Sequence, residues 1–264
     1  MTWLTSFLDR LGGRPTPGVA LVPLDLAVGP VYAVGDVHGC RHLLIGLEAL
    51  IREDAARFSG RPQIVLLGDM VDRGPDTAGL LDHLMRPLPW ATRLSIRGNH
   101  EEMMLAFLQE PARNKSWLDQ GGYETLRSYG LALDPAAPLD LPMRRLRQML
   151  AAHLPSEHLT WLAALPCGHL VRDAAQTWVL AHAGFDPERG VFDQPARTLV
   201  WGGRRPKPGG QICLVHGHVI QTDVYLFENC IGIDTGAYKT GELTTLRLAG
   251  GNPPALLSYT APPN

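Results

Sequence analysis

The sequence has no excess of either charge and no long apolar run. Its 264 residues include 24 lysines and arginines against 26 aspartates and glutamates, a net charge of -2. This balance argues against a nucleic-acid protein built on a basic face and against an acidic disordered tail. No apolar stretch is long enough to span a membrane and no signal peptide is evident, so neither a nucleic acid nor a membrane is expected as a partner.

Cysteine is also scarce. The four cysteines show no CxxC spacing, which argues against a zinc knuckle or a redox pair. A chain of this length with so few cysteines is not built on a disulfide framework. We therefore expect a protein of the reducing cytoplasm.

The hydrophobic content of 45% is that of an ordinary globular protein, and we expect one domain over residues 1–264. Apolar residues at three- and four-residue spacing predict an amphipathic helix over residues 1–14. Glycines and prolines follow, so residues 1–30 are assigned to this helix and a linker. Helical patterns interrupted by proline predict a mostly helical insertion at residues 109–175.

One order of elements recurs three times between residues 31 and 108. An apolar run ends in a polar turn, and residues at helical spacing follow; the runs are Val31–Val34, Ile64–Leu67 and Leu94–Ile96. This order predicts an α/β sheet with helices on its faces. Strand patterns return in the last third of the chain. Ligands of such sheets bind at the carboxyl ends of the strands.

Five predicted strand ends carry side chains that can bind a metal. They are Asp36 and His38, Asp69, Asn99 and His100, His182, and His218. Oxygen and imidazole donors without a thiolate suit Mn, Fe, Zn or Mg. The donors are too many for one tetrahedral shell, so two ions are more natural than one. A shared carboxylate can bridge two ions about 3.5–4 Å apart.

Together the motifs identify a family. The stretches GDVHG (35–39), GDMVDRG (68–74), GNHE (98–101), HAG (182–184) and GH (217–218) resemble those of the calcineurin-like metallophosphoesterases. More closely, they resemble the bacterial branch of the phosphoprotein phosphatases that act on serine and threonine. The resemblance covers residues 30–248. It implies an α/β fold, a four-layer β-sandwich with helices on both outer faces, together with the helical insertion.

The resemblance also implies a ligand set for two divalent ions. Asp36 and His38 would bind the first ion, Asp69 would bridge both, and Asn99, His182 and His218 would bind the second. Mn²⁺ is the expected metal, with Fe, Zn and Mg also suited to these donors. Hydrolysis would proceed by direct attack of a hydroxide that bridges the two ions, without a covalent phosphoenzyme.

Four further residues receive catalytic roles from the resemblance. His100 would protonate the leaving oxygen, Asp72 would orient His100 and keep it protonated, and Arg73 would bind phosphate oxygens. A second phosphate-binding arginine is usual in the family. In the matching stretch of this chain, the spacing departs from the family pattern. Arg205 is therefore chosen as the second phosphate-binding arginine, and Arg204 is kept as the alternative.

The leading function is a serine/threonine protein phosphatase, with a phosphoprotein or small phosphoester as substrate. A symmetrical bis(5'-nucleosyl)-tetraphosphatase is the first rival, so a nucleotide substrate stays possible. Such enzymes typically have alanine at the position of Asp72 and GNHD in place of GNHE. Two further functions stay open: a non-catalytic scaffold that binds phosphorylated partners, and a nucleic-acid phosphodiesterase, although the net charge of -2 suggests no basic groove for the latter.

Several residues near the motifs admit a structural role. His216 shares a strand face with His218 but is expected to be a neighbour of the site, and Cys40 is not expected to be a nucleophile. Glu101 is expected to begin a helix, where a carboxylate complements the dipole. The segment 116–130 is assigned equally to a substrate cleft and to helix packing on the core.

Overall fold

The computed structural model describes residues 21–136, 142–173, 176–207, 209–224, 226, 227 and 229–262. The helix predicted over residues 1–14 lies outside these residues. The described strands are β1 (Val22–Leu24), β2 (Val31–Val34), β3 (Gln63–Leu66), β4 (Thr92–Ser95), β5 (Gly168–Arg172), β6 (Thr177–Ala181), β7 (Ile212–His216), β8 (Leu226–Phe227), β9 (Cys230–Gly232), β10 (Glu242–Leu248) and β11 (Ala255–Thr260).

The described helices lie mainly in the first two thirds of the chain. They are α1 (Arg41–Ala55), α2 (Thr77–Met85), α3 (Asn99–Gln109), a π-helical turn (Leu118–Gly122), α4 (Tyr123–Ser128), α5 (Met143–His153), α6 (Ser156–Ala164), α7 (Ala196–Trp201) and α8 (Ala237–Thr240). None of these helices has the length and apolarity needed to cross a bilayer.

The strands form two mixed sheets. The five-stranded sheet has the order β11-β10-β2-β3-β4, in which β2, β3 and β4 are parallel. The six-stranded sheet has the order β1-β5-β6-β7-β9-β8, in which β6, β7 and β9 are parallel. Parallel neighbours end at the same edge of a sheet, so each sheet brings several strand ends together.

Alternation along the strands buries both faces of the five-stranded sheet. Val31 and Ala33 of β2 point toward the second sheet and pack in one apolar cluster with Leu180 and Val215. Tyr32 and its alternate neighbours instead pack in a cluster with the helices. On the outer face of the six-stranded sheet, Leu199 and Val200 of α7 pack in a third cluster with strand residues. The predicted sandwich with helices on both outer faces is confirmed.

Two assigned segments contain strands that the sequence does not predict. Residues 22–24, assigned to the linker, form β1 and pair with β5 in parallel. Residues 168–172 of the 109–175 insertion form β5 itself. The described remainder of that insertion is largely helical, and Leu146 and Leu159 of its helices belong to the same apolar cluster as α1.

Candidate active site

Polar side chains at strand ends of both sheets meet at one place. The ligand atoms of His38, Asp69 and His100 lie within 4.8 Å of one another, and so do those of Asp69, His182 and His218. Asp69 belongs to both groups. It therefore lies between two positions where a cation could bind.

The two carboxylate oxygens of Asp69 face different imidazoles. Oδ1 lies 3.4 Å from Nε2 of His182, whereas Oδ2 lies 3.7 Å from Nε2 of His38. The residue is buried, and burial raises the pKa of its carboxyl to about 6. A cation on either side would favour the ionised form. This geometry is the one that a bridging carboxylate requires.

Backbone carbonyls fix the tautomers of two histidines. Nδ1 of His38 donates to the carbonyl of Val71 at 2.7 Å, and Nδ1 of His182 donates to that of Leu67 at 2.8 Å. Burial lowers the pKa of both imidazoles, that of His182 to about 3. Both rings are therefore neutral, and the unprotonated Nε2 of each lies within 3.7 Å of a carboxylate oxygen of Asp69. A neutral imidazole held in this way is the form that binds a metal.

Three ligand atoms converge on the side of His182. Oδ1 of Asn99 lies 2.8 Å from Nε2 of His182 and 2.9 Å from Nδ1 of His218, and the two nitrogens are 3.2 Å apart. Burial lowers the pKa of His218 to about 4. These three atoms can share one proton on Nδ1 of His218, or they can bind a cation that lies between them.

Asp36 lies beside these groups but belongs to neither group of three. Its two oxygens accept the backbone N–H of His218 at 3.2 and 3.0 Å, and Oδ1 lies 3.9 Å from Nδ1 of His182. Burial raises the pKa of Asp36 well above its usual range, and the neighbouring carboxylate of Asp234 adds to this. Sequence reasoning missed Asp234, because a lone aspartate in a glycine-rich turn carries no distinctive signal.

His100 and Asp72 form a buried pair. Nδ1 of His100 lies 2.7 Å from Oδ2 of Asp72, and Nε2 of His100 lies 3.9 Å from Oδ2 of Asp69. The structure thus brings together the two residues that were predicted to act as acid and orienting carboxylate. Burial lowers the pKa of His100 and raises that of Asp72 to about 8.

The turns that carry these residues are strained. Of the six non-glycine residues with positive φ in the described chain, five lie at this site: His38 (43°), Asp69 (49°), Asp72 (74°), Arg73 (68°) and His218 (67°). Such conformations cost free energy in residues with a Cβ atom and persist only where surrounding contacts enforce them.

Glu101 provides part of that enforcement. Its fully buried carboxylate accepts four backbone N–H groups: Oε2 accepts those of Asp69 (2.9 Å) and Gly98 (2.7 Å), and Oε1 accepts those of Met70 (2.7 Å) and Val71 (3.2 Å). The sequence predicts only its place in the first turn of α3, which the structure confirms. Its contacts with the Asp69 turn were missed.

The candidate phosphate-binding arginines differ in their surroundings. Nη1 of Arg73 donates to Nε2 of His38 at 3.0 Å, so the guanidinium points into the site. Nη1 of Arg204 pairs with Asp186 at 3.3 Å and with Glu188 at 2.8 Å. Arg205 is exposed and forms no ion pair with a carboxylate in the described part of the chain.

Residues near the motifs that were expected to have structural roles lie outside the two ligand groups or contact them indirectly. His216 is buried and outside both ligand groups, with Nδ1 on the carbonyl of Gly217 at 2.8 Å. Burial raises the pKa of the Cys40 thiol to about 11, which leaves it a poor nucleophile.

In the segment 116–130, Trp117 is buried in the core, whereas Asp119 and Glu124 line a cavity of about 420 Å³ together with Arg73.

Comparison with known proteins identifies the family to which the chain is similar. The family model of the calcineurin-like phosphoesterases matches residues 29–229. The chain is 30% identical to serine/threonine-protein phosphatase 1 of Salmonella typhimurium over 83% of this chain and 91% of that protein. It is 32% identical to the symmetrical bis(5'-nucleosyl)-tetraphosphatase of Klebsiella pneumoniae over 60% of this chain and 44% of that protein.

A solved structure shares the fold over almost its whole length. The crystal structure of a protein provisionally described as a diadenosine tetraphosphatase superposes with a TM-score of 0.58 at 25% identity, covering 92% of this chain and 98% of the other. The family match spans well over half of the chain and includes every strand-end residue predicted to bind a metal. The chain therefore belongs to the calcineurin-like phosphoesterase family and is a hydrolase of phosphoric esters.

Proposed function

We propose that this chain is a metal-dependent phosphomonoesterase that acts on phosphoserine and phosphothreonine in proteins. The proposal rests on the contact of 2.7 Å between His100 Nδ1 and Asp72 Oδ2, next to the two ligand groups around Asp69. A fixed imidazole at this position can protonate the leaving oxygen of a phosphate monoester. The alignment with a serine/threonine-protein phosphatase over 91% of that protein supports this substrate class.

The family works with a dinuclear metal site, and the donors of this chain fit two divalent ions. We propose that one ion binds to Asp36, His38 and Asp69, and the other to Asp69, Asn99, His182 and His218. The donor set suits this role because Nδ1 of His38 and of His182 is bonded to a backbone carbonyl, which leaves Nε2 of each ring as the metal-binding nitrogen. Bound ions would polarise the phosphate and lower the pKa of an attacking water molecule. Mn²⁺ is the first metal to test, although Fe, Zn and Mg suit the same donors.

The other side chains would bind the phosphate and move a proton. The guanidinium of Arg73 can hold two phosphate oxygens at once, because its planar fork matches them. Nε2 of His100 would donate a proton to the leaving oxygen while Asp72 holds Nδ1. Arg205 is the preferred second arginine, because the carboxylates of Asp186 and Glu188 already neutralise Arg204.

A symmetrical bis(5'-nucleosyl)-tetraphosphatase is the second candidate. It is supported by the structural neighbour described as a diadenosine tetraphosphatase, which is covered over 98% of its length. The tetraphosphatase of Klebsiella pneumoniae aligns over only 44% of its length. A phosphomonoester substrate is therefore preferred.

A comparison of substrates tests the proposal. The chelated protein is loaded with Mn²⁺ and assayed on phosphoserine and phosphothreonine peptides, p-nitrophenyl phosphate and diadenosine tetraphosphate. Asp69→Asn is the inactive control. Asp82→Asn, which changes a carboxylate whose side chain is 58% exposed, is the matched variant that keeps activity.

Metal-dependent turnover that is fastest on the phosphopeptides supports the proposal. Faster turnover of the dinucleotide overturns the substrate class and leaves the metal chemistry intact. Binding of metal and phosphopeptide without turnover of any substrate supports the scaffold instead. Cytoplasmic localisation remains a prediction from the cysteine pattern, to be tested by fractionation.

A further inference from the structure

Asp72 receives three side-chain hydrogen bonds, and two of them come from outside the recognised motifs. Nε1 of Trp117 donates to Oδ2 at 2.8 Å, and Oγ1 of Thr125 donates to Oδ1 at 2.7 Å. The third comes from His100. The Thr125 hydroxyl also accepts the backbone N–H of Asp72 at 2.8 Å. Asp72 and Thr125 are fully buried and Trp117 is 1% exposed, so water does not replace these bonds.

The chain between Trp117 and Thr125 is itself anchored to the Asp72 turn. The carbonyl of Gly121 accepts the backbone N–H of Arg73 at 3.3 Å. Gly121 has φ of 112°, and a Cβ atom there would overlap the backbone nitrogen of Arg73. The indole of Trp117 packs against Phe107 of α3, with the ring centroids 4.9 Å apart. The segment that carries the two donors is thus bonded to the Asp72 turn and packed against the helix that carries His100.

This arrangement fixes the orientation of a carboxylate rather than adding a ligand to the site. A carboxylate with one donor can rotate about its Cβ–Cγ bond, and its partner imidazole then rotates with it. Donors on both oxygens remove that freedom. The imidazole of His100 is held in turn, because its Nδ1 bonds to an oxygen whose position is set by Trp117.

We infer that Trp117 and Thr125 are positioning residues for proton transfer, acting through Asp72 to fix the imidazole of His100. The inference depends on the proposed function, since it assigns these residues to the same reaction. Sequence patterns do not identify them, because Thr125 is 53 residues from Asp72 and Trp117 is 45 residues from it.

Four single variants test the inference with p-nitrophenyl phosphate and Mn²⁺. Thr125→Val removes the hydroxyl at nearly constant volume, and Trp117→Phe removes the N–H but keeps an aromatic ring. Thr125→Ser restores the donor. Ser128→Ala is the matched control on α4, because that hydroxyl bonds to the carbonyl of Thr125 and to the amide of Ala78, with no contact to Asp72.

We expect Thr125→Val and Trp117→Phe to lower kcat about 10- to 100-fold, the usual effect of removing a partner that orients a functional group. KM should change less than about 2-fold, because the affected bond matters for proton transfer and not for substrate binding. Thr125→Ser should recover most of kcat. Equal metal content in all variants excludes a loss of the metal site.

A double-mutant cycle separates this role from a general packing effect. In an Asp72→Asn background, Thr125→Val should lower kcat by less than about 3-fold, because the group through which it acts is altered. Full additivity overturns the inference, and so does an unchanged kcat in the Thr125→Val single variant while the wild type is active. A wild type without turnover overturns the proposed function and this inference with it.

Discussion

The guanidinium carbon of Arg73 lies 5.0 Å from the centroid of the Tyr238 ring. The same ring packs edge-on against the imidazole of His38, with the centroids 5.3 Å apart. Tyr238 is 37% exposed and therefore forms part of the solvent edge of the site. The face of an aromatic ring attracts a cation, and a planar guanidinium that stacks on the ring is restricted in its orientation. Tyr238 thus contacts the side chain that is proposed to bind phosphate.

Replacement of Tyr238 by leucine should weaken phosphate binding. We expect KM for p-nitrophenyl phosphate to rise about 3- to 10-fold, which corresponds to the loss of one cation–π contact, and kcat to change less than about 2-fold. Tyr238→Phe keeps the ring and should retain the wild-type KM. Steady-state kinetics on the three proteins checks this, and a leucine variant with wild-type KM would contradict the role of the ring.

Two substitutions should separate the metal ligands from the proposed acid. His100 shares a group of three with His38 and Asp69, so geometry alone does not exclude it as a ligand. We expect His100→Asn to keep both metal ions while kcat falls about 10²- to 10⁴-fold. Asp69→Asn should lose metal and activity together. Elemental analysis of the metal content, together with kcat, distinguishes a ligand from an acid. Loss of metal in His100→Asn would show that His100 is a metal ligand.

Removal of the Glu101 charge should destabilise the protein even without metal. A glutamine offers a single carbonyl oxygen, so it can satisfy only one of the two pairs of backbone N–H groups that bond to Oε1 and Oε2. We expect Glu101→Gln to lower the free energy of unfolding by about 1–3 kcal/mol, the cost of unsatisfied buried donors. Urea unfolding of the metal-free proteins measures it.

Glu110→Gln is the control for that measurement. Glu110 follows the same helix, and its side chain is 55% exposed beside Arg113. Surface pairs of this kind contribute little, so its unfolding free energy should stay within about 1 kcal/mol of the wild type. Equal stabilities of the two variants would mean that the Glu101 carboxylate does not maintain the strained turn.

Local patterns predict the central strands well and the sheet edges poorly. β2 has the predicted bounds and β3 is displaced by one residue, because each is a short apolar run that ends in a polar turn. β1 was missed because Pro23 breaks the pattern of a three-residue run, and proline is tolerated there because β1 is an edge strand. β11 is also an edge strand. Half of its side chains are exposed, so it lacks the continuous apolar run by which the central strands are predicted.

The predicted site residues follow strands, whereas the missed ones depend on contacts between distant segments. Asp69 and His182 lie at strand ends, where topology alone favours a ligand site. Thr125 and Tyr238 lie on short helices whose own periodicity gives no indication of what they contact. Each reaches the site through packing of segments far apart in the chain, which a single sequence does not reveal.

A buried histidine outside the site should make the protein sensitive to acid. His169 of β5 bonds through Nδ1 to the carbonyl of Val22 of β1 at 3.1 Å, and its Nε2 is buried with no hydrogen-bond partner among the described residues. Burial lowers the pKa of this imidazole. The unfolded chain therefore takes up a proton at a higher pH than the folded chain does. Stability should be unaffected above the usual histidine pKa of about 6.5 and should decrease as pH falls below it.

Replacement of His169 by glutamine should remove this part of the acid sensitivity. One proton contributes a slope of at most about 1.4 kcal/mol per pH unit, so the unfolding free energy of His169→Gln should decline less steeply than that of the wild type between pH 7 and pH 5. Urea unfolding of the chelated proteins across this range checks it. His42→Gln, which changes an exposed histidine of α1, controls for the loss of a histidine elsewhere. Parallel curves for His169→Gln and the wild type would mean that protonation of His169 does not oppose folding.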